Sequence, residues 1–191
     1  MRLFVAVEVP AAVRDNFASL MNRLRALGSK SAAKKPRWVR PENLHVTLKF
    51  MGEAAPEKLA EIRGALAEVR SDQLVELRFR GLGFFPDAKR PRVLWAGVEA
   101  SPNLASVAAD IDRRMTGFGV PGERRSFTPH LTLARLEPTG ISTELLAAVE
   151  KDASHDFGVL RTSQFHLIES KLKPSGAEYT TLDSFRFAAE T

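Results

Sequence analysis

The chain has 191 residues, 44% of them hydrophobic, enough to bury one domain or two small lobes and too apolar for disorder to be the default. It holds no cysteine, which removes disulfides, thiolate nucleophiles, iron–sulfur clusters and thiolate zinc sites together, and is compatible with a reducing cytoplasm. A formal net charge of +5 favours an anionic partner, nucleic acid included.

The first segment, Arg2 to Val9, alternates like a strand, and Glu8 breaks its apolar run too early for a signal-peptide core. No apolar stretch approaches the ~20 residues of a membrane span, so a cytoplasmic protein without membrane contact is expected. Ala11 to Leu27 keeps helical spacing through Val13, Phe17, Leu20, Met21, Leu24 and Leu27, with Gly28 as its stop. A basic loop, Lys30 to Arg37, could follow an RNA backbone, although a solvated charge run is its ordinary reading. A short extended piece, Trp38 to Arg40, and a Pro41-Glu42-Asn43 turn come next. Glu53 to Arg70 reads as a helix entered through Pro56, with Leu59, Ile62, Leu66 and Val69 on one stripe.

Val75 to Arg80 alternates strictly and predicts a strand with one solvated face. Gly81, Gly83, Pro86 and Asp87 punctuate a loop before a strand at Val93 to Val98. Helices are predicted over Pro102 to Phe118 and Ser142 to Lys151, and strands over Gly158 to Ser170 and Glu178 to Phe187. The order β-α-β-α-β-β-α-β-α-β-β lacks long parallel βαβ repeats and predicts an α+β fold.

Within that order, His45-Val46-Thr47-Leu48 recurs as His130-Leu131-Thr132-Leu133, an offset of 85 residues. Each copy falls on a strand between two helices, which predicts one domain, residues 1–191, made of two similar lobes with one motif each. On a strand, each histidine shares a face with the threonine two residues on, while the aliphatic residues point to the core. Two imidazoles and two hydroxyls across a cleft suit metal-free acid/base chemistry on a phosphate. Displacement at phosphorus is in line, so attacking and departing oxygens lie on opposite sides and one group cannot easily serve both. Imidazole suits either role because its unperturbed pKa is about 6.5, and the hydroxyls can donate to the non-bridging oxygens.

Cationic support differs between the copies. Lys49 continues the His45, Thr47 face, whereas Ala134 stands at the equivalent place in the second copy. Arg135 is out of phase and reaches the cleft only if the strand ends or bulges there; otherwise it is solvated.

These residues resemble the 2H phosphoesterase superfamily, and specifically its bacterial and archaeal RNA 2′,3′-cyclic phosphodiesterases, also called 2′-5′ RNA ligases. The resemblance is carried by Met1 to Ala6, Trp38 to Gly52, Pro91 to Gly97, Phe127 to Arg135, and Glu169-Ser170 ahead of Tyr179-Thr180. Met51 stands where family members have Leu, a volume-conserving change. The resemblance implies a bilobal, pseudo-symmetric fold in which two antiparallel-rich sheets line a central cleft with helices outside. It further implies His45 and His130 as the catalytic pair, Thr47 and Thr132 as phosphate ligands, and Arg135 as a phosphate contact. Family precedent makes His45 the general acid and His130 the general base, although the two copies are too alike for their residues alone to divide the roles.

Trp38, Phe50, Phe84, Phe85 and Phe127 could stack on a substrate base, Trp38 and Phe127 foremost. His155 and His166 lack a following threonine and read as ordinary strand or loop residues. No metal or cofactor is expected, since no zinc-protease, ion-loop or phosphate-loop motif is present. The expected substrates are RNA with 2′,3′-cyclic phosphate ends or cyclic nucleotides, hydrolysed to 2′-phosphomonoesters by a monomer, with 2′-5′ ligation as the reverse reaction. An RNA-binding module that holds such ends without turnover is the competing reading.

Overall fold

The motif strands meet at the middle of the molecule, and the rest of the architecture is arranged around that junction. The computed structural model describes residues 1–28, 35–137, 141–174 and 176–188. In chain order the elements are β1 (Arg2–Glu8), α1 (Ala11–Gly28), β2 (Arg37–Trp38), β3 (His45–Glu53), α2 (Leu59–Ala67), β4 (Val75–Phe85) and β5 (Val93–Ala100). They continue with α3 (Asn103–Thr116), β6 (His130–Arg135), α4 (Thr143–Lys151), β7 (Asp156–Thr162), β8 (Gln164–Lys173) and β9 (Gly176–Arg186). Lys30 and Lys34 of the basic loop lie outside the described residues.

Among the described residues nine strands form one antiparallel sheet, ordered β7-β4-β5-β6-β3-β1-β8-β9, with β2 added beside β6. The two expected sheets are its two four-stranded halves. They touch edge to edge through β3 and β6, whose ladder is the single pair Val46 and Leu131. The curled sheet carries its helices on one side and leaves the other open as a cleft.

The helices are exchanged between the halves. α1 follows β1 but packs on β7 and α4, and α3 follows β5 but packs on β3 and α2. One core therefore runs beneath the whole sheet. The helical stripes feed it: Val13, Phe17, Leu20, Met21 and Leu24 of α1, and Leu104, Val107, Ala108, Ile111 and Met115 of α3, are all buried. Phe17 is fully buried, edge-on to Phe79 of β4 at 5.9 Å, and burying a ring of this size contributes about 1.5–3 kcal/mol. At α4 the Ser142 hydroxyl accepts the Leu145 N–H at 3.2 Å, closing the first turn.

Two predicted boundaries are corrected. The glycines at 81 and 83 do not end β4, which runs on to Phe85 and pairs Gly83 with Trp95 of β5. The single strand predicted from Gly158 to Ser170 is two, because the chain turns at Ser163 and carries β8 from the far edge of one half into the other. Apolar alternation continues across that bend, so periodicity alone did not reveal it.

Candidate active site

The junction pair Val46 and Leu131 is fully buried on the helix side, so its neighbours face the cleft. Antiparallel register through that pair sets His45 across from Thr132 and Thr47 across from His130. Each histidine thus stands opposite the other motif's threonine. All four side chains are half-buried.

Both rings are oriented by the same device. Nδ1 of His45 lies 2.7 Å from the Asn43 carbonyl, and Nδ1 of His130 lies 2.9 Å from the Thr128 carbonyl. A carbonyl oxygen only accepts, so each Nδ1 carries a proton and donates it, leaving Nε2 to exchange the second proton. The Pro41-Glu42-Asn43 turn, a 3-10 helix whose Leu44 N–H donates to the Pro41 carbonyl, sets the Asn43 carbonyl in place. Asn43 also reaches β9, its Nδ2 donating to the Ala177 carbonyl at 2.9 Å.

The surroundings differ. His45 is packed against Phe4, 4.7 Å between ring centroids, and edge-on to Tyr179 at 5.4 Å. Burial holds its pKa below the ordinary histidine value; the Asn43 carbonyl and Glu8 oppose the shift, while Arg135 and His130 add to it. His130 is edge-on to Phe85 at 5.0 Å. Burial pushes the Tyr179 phenol up, and Arg135 pulls it back.

Two β-bulges set the facing of the residues just past each motif. Against β1, Thr47 pairs Ala6 and Lys49 pairs Val5, so Leu48 is an extra residue. Against β5, Thr132 pairs Trp95 and Ala134 pairs Leu94, so Leu133 is the extra residue. Arg135 is thereby returned to the cleft face, the condition under which the sequence allowed it to reach the site.

Lys49 is corrected by the same bulge. It is 7% exposed and turned to the helix side, where Nζ meets Asp112 of α3 at 2.5 Å and donates to the Pro121 carbonyl at 2.6 Å. It cannot contact a phosphate in the cleft. Trp38 is also corrected: it pairs Ala134, a core-side residue, and lies under the Arg25 guanidinium of α1, 5.8 Å from the ring centroid. Phe127 is partly buried and packs against the main core. Phe50 takes the cleft position instead, 62% exposed and 6.2 Å from Phe4.

The sequence pattern did not single out Glu8 and Phe4, which share the cleft face of β1 with Ala6 beside the first motif. Their alternation was visible, but which strand β1 would flank was not. His166 sits on β8 with Nδ1 2.9 Å from the Ser184 hydroxyl, an ordinary strand residue as expected. Among the described residues no three His, Cys, Asp or Glu side chains gather as metal ligands do, and no helix is long and apolar enough to cross a membrane.

The sequence pattern of the 2′-5′ RNA ligase superfamily matches residues 13–172. An RNA 2′,3′-cyclic phosphodiesterase of Archaeoglobus fulgidus is 35% identical over 185 residues, 97% of this chain and 99% of that protein. One from Methanothermobacter thermautotrophicus is 32% identical over 187 residues, 97% of this chain and 98% of that one. The crystal structure of TT0787 of Thermus thermophilus superposes with a TM-score of 0.78 at 30% identity, over 98% of each chain. E. coli LigT complexed with 3′-AMP shares the fold, with a TM-score of 0.75 at 24% identity over 97% of each chain. The paired motifs on their shared cleft, the superfamily match over most of the length and these relatives together show that the chain belongs to the 2′-5′ RNA ligase superfamily.

Proposed function

We propose that the protein hydrolyses the terminal 2′,3′-cyclic phosphate of RNA to a 2′-phosphomonoester, using His45 and His130 as its acid/base pair. The reading is carried by one observation: two imidazoles on the same cleft, each with Nδ1 tied to a backbone carbonyl and Nε2 left to move a proton. The names of the curated relatives, RNA 2′,3′-cyclic phosphodiesterases, give the substrate class.

In-line attack needs a base on the water side and an acid on the side of the departing 3′-oxygen. Following the family resemblance, His130 takes the proton from water and His45 delivers one to the ribose oxygen. Burial favours the neutral form of His45 in the free protein, so its role as acid depends on the anionic phosphodiester drawing a proton onto it. Thr47 and Thr132 donate hydroxyl hydrogen bonds to the non-bridging oxygens, and Arg135 offsets the charge that builds there. Phe50 and Tyr179 offer the terminal base an aromatic wall beside His45. With a 5′-hydroxyl in place of water, the same proton transfers make a 2′-5′ linkage.

The test is product analysis with a cyclic-phosphate oligonucleotide and cyclic nucleotides, with EDTA present. A 2′-phosphomonoester is expected, with turnover reduced about 10²- to 10⁴-fold in His45→Ala and in His130→Ala while substrate binding persists. Intact substrate in EDTA, with turnover restored by a divalent ion, would refute the mechanism.

A further inference from the structure

The two halves of the sheet set matching ladders beside the two motifs, with one difference opposite the histidines. Beside the first motif, β1 pairs Ala6 with Thr47, Val7 with Val46 and Glu8 with His45. Beside the second, β5 pairs Trp95 with Thr132, Ala96 with Leu131 and Gly97 with His130. Residues directly opposite on an antiparallel ladder share a face, with Cβ atoms about 4.5–5.5 Å apart. A carboxylate therefore stands across from His45, and a bare glycine across from His130. Glu99, two residues beyond Gly97 on β5, is ion-paired with Arg80 at 3.8 Å.

Glu8 is exposed at the end of β1, yet its side chain is held. It accepts the Thr181 hydroxyl of β9 at 2.7 Å, from two strands away across β8. Tyr179, two residues before Thr181 and on the same face of β9, is edge-on to His45 at 5.4 Å. β9 thus braces both members of the cross-strand pair, the imidazole through Tyr179 and the carboxylate through Thr181. Among the described residues no lysine or arginine forms an ion pair with Glu8, so its charge is left to act across the cleft.

Neither proton transfer uses this carboxylate, and folding does not need its charge, because a glutamine would accept from Thr181 as well. Acid catalysis does need a negative group here. Burial against Phe4 and Tyr179 is the main obstacle to charging His45, and Arg135 and His130 of β6 add to it; the Asn43 carbonyl and Glu8 oppose it. His166 of β8 faces the same carboxylate.

We infer that Glu8 is a positioning residue for the acid: its carboxylate, anchored by Thr181, is the counter-charge that holds the transferable proton on His45 and so divides the roles of two like histidines. The proton passes from Nε2 of His45 to the departing 3′-oxygen, and Glu8 neither takes nor gives it. This inference rests on His45 being the acid of the proposed pair.

Two variants separate the charge from its anchor. Glu8→Gln keeps an oxygen for Thr181 and removes the charge, whereas Thr181→Val keeps the charge and removes the anchor. His45 is titrated by NMR through its ring C–H resonances, identified by their absence from His45→Gln. Glu8→Gln should lower the midpoint of His45, and that of His166 with it. On a cyclic-phosphate oligonucleotide near neutral pH and at low salt, Glu8→Gln should lower kcat roughly two- to fivefold, the range of a solvent-screened charge pair, without raising KM. Thr181→Val should lower kcat less, and Glu8→Asp should recover part of the loss. Added salt should bring the native and Glu8→Gln values of kcat together, which the loss of a structural contact would not do. A His45 midpoint that stays or rises in Glu8→Gln, or a raised KM at unchanged kcat, would overturn the inference. A lowered midpoint in a protein that leaves cyclic phosphates intact would uphold the coupling of Glu8 to His45 and sink the hydrolase reading.

Discussion

Phe50 and Arg135 occupy equivalent positions, each five residues after its motif histidine and each returned to the cleft by a bulge at the fourth motif residue. Both flanks serve the His45 side of the cleft: the exposed Phe50 ring lies 6.2 Å from Phe4, which packs on His45, and the Arg135 guanidinium acts on His45 and Tyr179. The Lys49 and Ala134 positions between motif and flank face the core on both sides.

Arg135→Gln isolates the electrostatic half of that pair. The side chain is exposed, so its loss leaves the fold intact, and the melting temperature should stay within about 1 °C of the native value. A charge-assisted hydrogen bond contributes about 1.5–3 kcal/mol, so kcat/KM on a cyclic-phosphate substrate should fall roughly ten- to a hundredfold. Initial rates and thermal melts on the same preparation check both, and an unchanged kcat/KM would remove Arg135 from the site.

Lys49→Met should behave in the opposite way. The ammonium ties the strand carrying Thr47 to α3 through Asp112 and to the loop before His130 through the Pro121 carbonyl. Removing it leaves a partly buried carboxylate and a carbonyl without that donor, costing about 1–3 kcal/mol. For a chain of this size that corresponds to a fall of roughly 2–12 °C in melting temperature. A variant that melts like the native protein but fails to bind phosphate would restore Lys49 to the cleft.

Lys49 and Arg135 also mark the limit of what strand parity can tell. The histidines and threonines were legible because two residues of strand alternation carry no accumulated error. One position further, parity counting assumes an unbroken ladder, and a bulge shows only in the register of the partner strand. Trp38 failed for a related reason: its face is set by pairing with Ala134, far along the chain. Gly81 and Gly83 looked like loop punctuation because their lack of a side chain is usually conformational. Here it serves close approach, to the Ala153 carbonyl and to the Trp95 ring.

The depressed pKa of His45 makes stability pH-dependent with a definite sign. Burial lowers the folded-state value of His45, and likewise of His166, while in the unfolded chain both titrate near pH 6.5. Below that pH the unfolded state holds more protons, so stability rises with pH and is lost as pH falls from about 6.5 towards the folded values. His45→Gln removes one contribution, and its melting temperature should decline less steeply between pH 7 and pH 5 than that of the native protein. Melts followed by circular dichroism over that range decide it; a steeper decline in the variant would reverse the sign.

Two glycine substitutions should move stability in opposite directions. Gly64 lies on the exposed face of α2 with nothing within 4 Å of a Cβ, so Gly64→Ala gains helix propensity and stabilises by about 0.5–1 kcal/mol. Gly97 lies on β5, where a Cβ would fall 2.5 Å from the Arg80 carbonyl, a backbone atom held in the paired strand β4. Relief there requires the strands to part, so Gly97→Ala destabilises by about 1–3 kcal/mol, the range of an overpacked core, and tilts the floor beneath Trp95. Denaturant unfolding of both variants beside the native chain gives the two signs. A neutral Gly97→Ala would mean that β4 and β5 approach less closely than the register of Phe79 with Val98 and Leu82 with Ala96 requires.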